Sequence, residues 1–418
     1  MKPLKQLFII LLAFSLVLPI SSVFGSSIMW SQTYGGIKTD SAEALIQTGD
    51  GGFVLAGYTL SFGNGFEDFW VVKTNASGNH EWNHTYGGPN FDRAQAVIET
   101  SDGYAIAGYT ISPNEVDYDC WLVKTDRQGN MIWNQTYGGD AWDIAYGLIQ
   151  TSDKGYVLVG YTLSFGNGSA DFLLIKTDEQ GRMEYTKTYG GESYDIATSF
   201  VRTSDGGYVL AGSTGSGTST DCMIIKTDGE GNELWRKTFG GNDYDRANSV
   251  VETYDGGFAL AGYTASYGEG VADFWLVKTD SLGNPLWNKT YGYSDYDRAF
   301  SLVQTYDGGY ALAGYGTRAV DFLLIKTDSS GNMIWNQTYG GGLYDEAHAM
   351  VSTQDGGYAL GGFTNSFGPG WSGFWLVKTD EFGVVPEFPS WTILIAGLSF
   401  VAVLSMFFRH KFKQEREK

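Results

Sequence analysis

Residues 92–137 read DRAQAVIET SDG YAIAGYT ISPNEVDY DCWLVKTD RQGN MIWNQTY. Four segments of this stretch read as strands: A at Ala94–Thr100, B at Tyr104–Thr110, C at Asp119–Asp126 and D at Met131–Tyr137. B and C are nearly continuous apolar runs, as expected of strands covered on both faces. Asp102-Gly103 and Gly129-Asn130 supply tight turns, aspartate favouring the turn start and glycine the positive φ. Such a sheet cannot bury both faces alone and needs a neighbour on each side.

The chain supplies those neighbours by repetition. The patterns W-N-x-T-Y-G-G, x-x-Y-D-x-A-x-x-V-x-T, x-D-G-G-Y-x-L-A-G-Y-T and D-F-W-L-V-K-T-D-x-x-G-N recur in order. The aspartate of Y-D-x-A marks each copy, at Asp40, Asp92, Asp143, Asp195, Asp245, Asp297 and Asp345, in steps of 52, 51, 52, 50, 52 and 48 residues. Four strands in a period of this length predict an all-β, seven-bladed β-propeller with four antiparallel strands per blade. The first recognisable segment, Trp30 to Gly36, is a D strand with no blade before it, and the last repeat stops after its C strand at Asp380. Seven blades are complete only if the first D strand joins the last blade, which also removes an exposed sheet edge. An open solenoid is the alternative, but it needs capping repeats that the sequence does not show.

The run T-D-x-x-G-N-x-x-W carries Trp30, Trp82, Trp133, Tyr185, Trp235, Trp287 and Trp335 at its aromatic position. It resembles the repeat of quinoprotein-like propellers, and its style is similar to Kelch-like repeats. The resemblance implies that the aromatic docks against the neighbouring blade. The spacing from Asp to Gly is one residue shorter than in the quinoprotein family. Nothing matches a quinone pocket or its metal ligands, so the resemblance carries architecture only.

Composition narrows the function classes. Glycine is 58 of 418 residues and aromatics are 16%, as tight turns between short strands require. A formal net charge of −20 argues against nucleic-acid binding. Two cysteines and four histidines leave little for a zinc site or a disulfide scaffold. Residues 1–26 read as a signal peptide: Lys2 and Lys5, an apolar run from Leu7 to Ile20, then small residues. An uncleaved anchor is the alternative. Residues 391–408, WTILIAGLSFVAVLSMFF, carry no charge and are long enough to span a membrane. The basic tail 409–418 is then cytoplasmic. The preceding segment 384–390 contains Pro386-Glu387-Phe388-Pro389. This ending resembles the PEF-type C-terminal sorting signal of archaeal surface proteins, whose tail can be cut and replaced by a lipid anchor. Without the two basic residues of the leader and the five basic and three acidic residues from Val384 onward, 20 basic and 44 acidic residues remain, or −24. The propeller domain, residues 27–383, is thus expected at the cell surface.

Strand order puts the A–B and C–D turns on one face and the B–C and D–A loops on the other. The first set is nearly invariant. The second varies, with B–C inserts of 8, 8, 8, 6, 8, 4 and 8 residues, and loops on a rigid scaffold are where binding is expected. Candidate ligand contacts there are Asp92, Trp142, Asp143, Asp195, Asp245, Asp297 and Asp345. Carboxylates beside aromatics suit sugars, and calcium is a further candidate. The structural alternative is an aspartate accepting backbone N–H bonds in its own loop. Four S-[FY]-G-x-G loops add Phe62, Phe165, Tyr267 and Phe367, either as a binding platform or as lids on their blades. His80, His84, His348 and His410 fall at different repeat positions with no evident Ser or Cys partner, so no catalytic residue is assigned. Cys120 and Cys222 replace core phenylalanines. Repeat symmetry is broken visibly only at Arg318 and the Pro113-Asn114-Glu115 insert. Sequons at Asn75, Asn83, Asn134, Asn167, Asn288 and Asn336 are glycosylation candidates. The expectation is a surface-anchored binding module for an extracellular glycan or protein, without catalysis, cofactor or bound metal. The alternatives are a carbohydrate-active enzyme with an acidic pocket over the channel and a purely structural envelope protein.

Overall fold

The computed structural model describes residues 29–111, 117–216, 219–316 and 320–385. Among them, 28 strands form seven four-stranded antiparallel sheets. Blade 1 is β2 (Asp40–Gln47), β3 (Phe53–Thr59), β4 (Asp68–Thr74) and β5 (His80–Tyr86), in that spatial order. Blade 2 is β6 (Asp92–Thr100), β7 (Gly103–Thr110), β8 (Asp119–Asp126) and β9 (Met131–Tyr137). Blade 7 combines β26 (Asp345–Ser352), β27 (Tyr358–Thr364) and β28 (Gly373–Thr379) with β1 (Trp30–Tyr34), the first strand of the chain. Trp30 pairs with Lys378 and Tyr34 with Phe374, so the ring is closed as the repeat phase requires. The A strands pack on each other, β2 against both β6 and β26, and line the axis.

The core lies between blades. One cluster joins Val54, Phe69 and Val71 of blade 1 to Ile106, Trp121 and Val123 of blade 2. Another joins Phe53, Leu55 and Trp70 of blade 1 to Phe374 and Leu376 of blade 7. B and C strands thus feed alternate residues to two junctions, which is why both run apolar along their length. At the rim, each D-strand aromatic packs on the C–D turn of the next blade. Gly78 shows why that turn needs glycine: its φ is +73°, and a Cβ there would lie 2.4 Å from the Trp30 ring. The Tyr34, Tyr86, Tyr137, Tyr189 and Tyr291 hydroxyls each donate 2.6 Å to that turn's glycine carbonyl. Blade 4 has Phe239 at this position and no hydroxyl to donate.

The face made by A–B and C–D turns, here the base, is chemically uniform. In every blade the lysine of L-V-K-T-D turns back to the aspartate of T-x-D-G-G, at 2.8–3.0 Å, from Lys73–Asp50 to Lys378–Asp355. The Thr151 hydroxyl and then the Lys176 ammonium bring the Asp153 pKa down to about 2. At Asp205 the Thr203 hydroxyl leads, and the Gly207 N–H and Lys226 add to it.

Three details differ from the sequence reading. β7 begins at Gly103, one residue early, because Gly103 pairs with Thr100. β6 begins at Asp92, two residues early, because Asp92 pairs with Thr110 across the sheet. In blade 4 the Gly215–Thr220 insert is no simple loop: β15 (Tyr208–Ser216) and β16 (Ser219–Thr227) extend into it and pair as far as Ser216 and Ser219. Its Thr residues suit strands, and it lacks the aromatic-glycine motif that shapes the inserts of blades 1, 3, 5 and 7. The leader, the Pro-Glu-Phe segment, residues 391–408 and the basic tail lie outside the described residues. Among the described residues no helix is long and apolar enough to cross a membrane.

Candidate functional site

The opposite face, here the mouth, carries the B–C and D–A loops. All seven Y-D-x-A aspartates are buried at its edge, Asp40, Asp92, Asp143, Asp195, Asp245, Asp297 and Asp345. Each accepts a backbone N–H from its own D–A loop, such as Gly36 to Asp40 at 2.8 Å and Tyr293 to Asp297 at 2.6 Å. Asp40, Asp143, Asp245 and Asp345 also take a serine hydroxyl from the B–C loop, at 2.6–2.8 Å. Their oxygens tie two loops together. A second carboxylate, on the C strand of the preceding blade, faces most of them. Burial and then the Asp245 charge push Asp221 up, and Asp321 rises for the same reasons beside Asp345. Among the described residues no group of three or more His, Cys, Asp or Glu is arranged to hold a metal ion.

The S-[FY]-G-x-G aromatics are half exposed, each with one side on its blade. Phe62 lies 5.3 Å from Trp70, Phe367 5.2 Å from Trp375 and Tyr267 6.0 Å from Trp275. Phe165 leans over a groove shared with Leu173. Threonine hydroxyls hold the loop backbones: Thr59 Oγ1 accepts from Ser61 and Phe62 N–H at 3.0 and 3.2 Å. Trp142 is exposed and meets the Tyr118 ring edge-on at 5.1 Å. Phe66 stacks on Phe91 at 5.3 Å, and Trp371 stands 80% exposed. Asn83, Asn134, Asn288 and Asn336 sit on outer D strands, Asn75 in a C–D turn and Asn167 on the mouth.

The residues that break the repeat lie deeper, around the axis. Every A strand has a β-bulge after the alanine of Y-D-x-A. A bulge re-aims a side chain. The bulged residues are Glu43, Gln95, Tyr146, Thr198, Asn248, Phe300 and His348, no two alike. They reach sideways: Thr198 Oγ1 donates to the Ala247 carbonyl at 2.6 Å and Asn248 Nδ2 to that of Ala299 at 2.8 Å. His348 Nδ1 lies 2.8 Å from Glu43 and Nε2 3.4 Å from Glu346, with Phe300 and Phe363 edge-on at 5.2 and 5.6 Å. Burial opposes its charge, but Glu43 and Glu346 raise the His348 pKa to about 10, so the ring is cationic at neutral pH.

The position after the aspartate also varies, with three arginines and two isoleucines: Ser41, Arg93, Ile144, Ile196, Arg246, Arg298 and Glu346. Arg93 lies over the Tyr58 ring at 4.1 Å and forks onto Glu67, with Nη2 2.8 Å from Oε1. Arg298 lies over Tyr263 at 4.6 Å and near Tyr296 at 5.6 Å. The Nε atoms of Arg246 and Arg298 are buried without a hydrogen-bond partner. Sequence reasoning missed this ring because both positions are the unpatterned letters of Y-D-x-A-x-x-V. Aligning the seven copies at those letters alone exposes it. Pro113, Asn114, Glu115 and Arg318 lie outside the described residues.

Neither a protein-family model nor a curated protein matches this chain by sequence. Solved structures match it by fold. An ulvan lyase of polysaccharide lyase family PL25, bound to -[GlcA(1-4)Rha3S]-, is 11% identical, with 85% of this chain and 97% of that one covered at a TM-score of 0.50. Sqt1 from Chaetomium thermophilum is 12% identical, with 80% and 81% covered at 0.48. BamB from Moraxella catarrhalis is 13% identical, with 84% and 98% covered at 0.40. At such identities the likeness is one of architecture: this chain is a seven-bladed β-propeller.

Proposed function

We propose that this protein is an exported, membrane-anchored propeller that binds an extracellular ligand, a glycan or another envelope component, on its mouth, without catalysis. One observation carries the reading. Departures from repeat symmetry collect at the mouth and the axis beneath it, whereas the base repeats one ion pair seven times. Selection for folding alone has no need of Arg93 and Arg246 at one repeat position and Tyr146, Phe300 and His348 at another. Exposed aromatics around them suit stacking on sugar rings. The same fold carries a polysaccharide-bound lyase, which is compatible with this reading and does not single it out.

The test blocks one face at a time. Trp371 on the mouth is 80% exposed and Tyr306 on the base 91% exposed, while Cys120 and Cys222 are buried. Trp371→Cys and Tyr306→Cys therefore give single sites for a bulky maleimide. Binding of the full-length protein to a glycan array or to isolated envelope should vanish only when the mouth is labelled. Equal loss from both faces, or from neither, rejects the assignment.

A further inference from the structure

The mouth contains two versions of one arrangement, and they differ by one carboxylate. In blade 2, Arg93 lies across the tyrosine ring of blade 1 and forks onto Glu67, the last residue of the blade 1 B–C loop. In blade 6, Arg298 lies across Tyr263 of blade 5 in the same way. The residue equivalent to Glu67 is Ala272, and both make the same parallel bridge to the next D–A loop, Glu67 to Phe91 and Ala272 to Tyr296. Arg298 thus keeps its ring and loses its carboxylate. No acidic side chain lies within ion-pair distance among the described residues, and its Nε is buried without a partner. A recess of about 580 Å³ opens there, lined by Asp243, Tyr244, Tyr263, Ala272, Tyr296 and Arg298.

We propose that this recess binds the carboxylate of an acidic sugar, a uronic acid unit, with the ligand's carboxylate standing against Arg298 as Glu67 stands against Arg93. This inference rests on the reading of the mouth as a glycan-binding face. The guanidinium fork matches a planar carboxylate through two parallel bonds. Tyr296 is half exposed and offers a ring face for stacking. Asp243 offers an acceptor for sugar hydroxyls, which a glutamate-rich peptide lacks. In a domain of net negative charge, an unmatched arginine inside a cleft also concentrates the local field.

Full-length protein is titrated with tetragalacturonate, with a sulfated oligosaccharide, with neutral cellotetraose and with a glutamate-rich peptide, at low and high salt. Tetragalacturonate should bind roughly tenfold or more tighter than cellotetraose, and its advantage should shrink with salt. Arg298→Gln should remove that advantage and leave neutral-sugar binding in place. Ala272→Glu supplies the missing carboxylate from the protein itself, as blade 1 does, so it should fold normally and exclude the uronate. A uronate no tighter than the neutral sugar overturns the inference while leaving the mouth as a glycan site. Uronate binding indifferent to both substitutions overturns it as well. Preference for the sulfated sugar or the peptide rejects the carboxylate-sugar class, and absence of all sugar binding rejects this inference together with the reading beneath it.

Discussion

Base and mouth are the two ends of the same 28 strands, yet they handle carboxylates in opposite ways. At the base each aspartate meets a lysine whose side chain is 3–8% exposed, and the arrangement recurs seven times. At the mouth an aspartate on the C strand faces another carboxylate across a glycine, as Asp68 and Asp92 do around Gly87. Burial raises both of these acids. The base is a repeated solution to folding. The mouth accepts electrostatic cost and varies its side chains, as expected where stability yields to another demand.

The largest effect tests the ring on which both ends depend. Deleting residues 27–36 removes β1, exposes the edge of β28 and leaves the Gly78 turn without Trp30. Cooperative melting should be lost or replaced by aggregation. An unchanged transition would mean that closure is dispensable.

Next comes the base. Asp255→Ala leaves the Lys278 ammonium buried with the Thr279 carbonyl at 2.7 Å. The cost should be about 2 kcal/mol, less than for a fully buried pair because the carboxylate is 61% exposed. Ligand binding should not change. The pH dependence separates the ends further. Asp153 and Asp205 sit near 2 when folded against an ordinary 3.8, so their contribution is complete above about 3.8 and is lost as pH falls toward 2. Asp68, Asp171, Asp221, Asp273 and Asp321 are raised, so they oppose folding once ionised, and that opposition fades as pH falls to 3.8. Melting temperature should therefore climb on mild acidification and drop below about pH 4. A steady decline from neutral pH would erase the contrast.

The mouth aromatics should give smaller losses. Phe62→Ala, Phe165→Ala, Tyr267→Ala and Phe367→Ala each remove one ring face from the blade, worth about 1 kcal/mol of stability. The exposed face predicts a further loss of binding to envelope glycans of roughly 1–3 kcal/mol. Stability losses at all four sites with binding intact would make these rings lids. The smallest effect belongs to Lys154, which holds a φ of 66° where five of the other six A–B turns have a glycine of positive φ. Lys154→Gly should stabilise blade 3 by up to about 1 kcal/mol, less what its ion pair with Glu179 supplies. No change in melting temperature would show that the turn carries no strain.

Legibility followed repetition. β8 and β9 begin and end where the sequence places them, because apolar runs and turn residues coincide at Asp119, Asp126 and Met131. Closure was legible from the unmatched strand at Trp30. The loop-tying of the aspartates was legible as an alternative, since a carboxylate repeated seven times beside glycine has a local partner in every copy. The Arg298 recess was not legible. It depends on a letter that the repeat leaves unpatterned, Arg298, and on an absence, Ala272 for Glu67, inside an insert whose letters already vary. Blade 4 escaped for a related reason: Ser213 replaces the tyrosine, and nothing in a serine signals a longer hairpin.

Both ends of the described chain leave from one place. Trp30 and Lys378 are paired at the base end of blade 7, and the turn Asp380–Val384 follows directly. With the proposed span at residues 391–408, five residues, 386–390, would separate it from that turn, and five residues reach no more than about 18 Å. So short a connection would make the lipid surface select an attitude. In that proposed arrangement the seven ion pairs would look toward the bilayer, and the aromatic rim with its arginines would be held up to the surroundings, like a dish on a short stem.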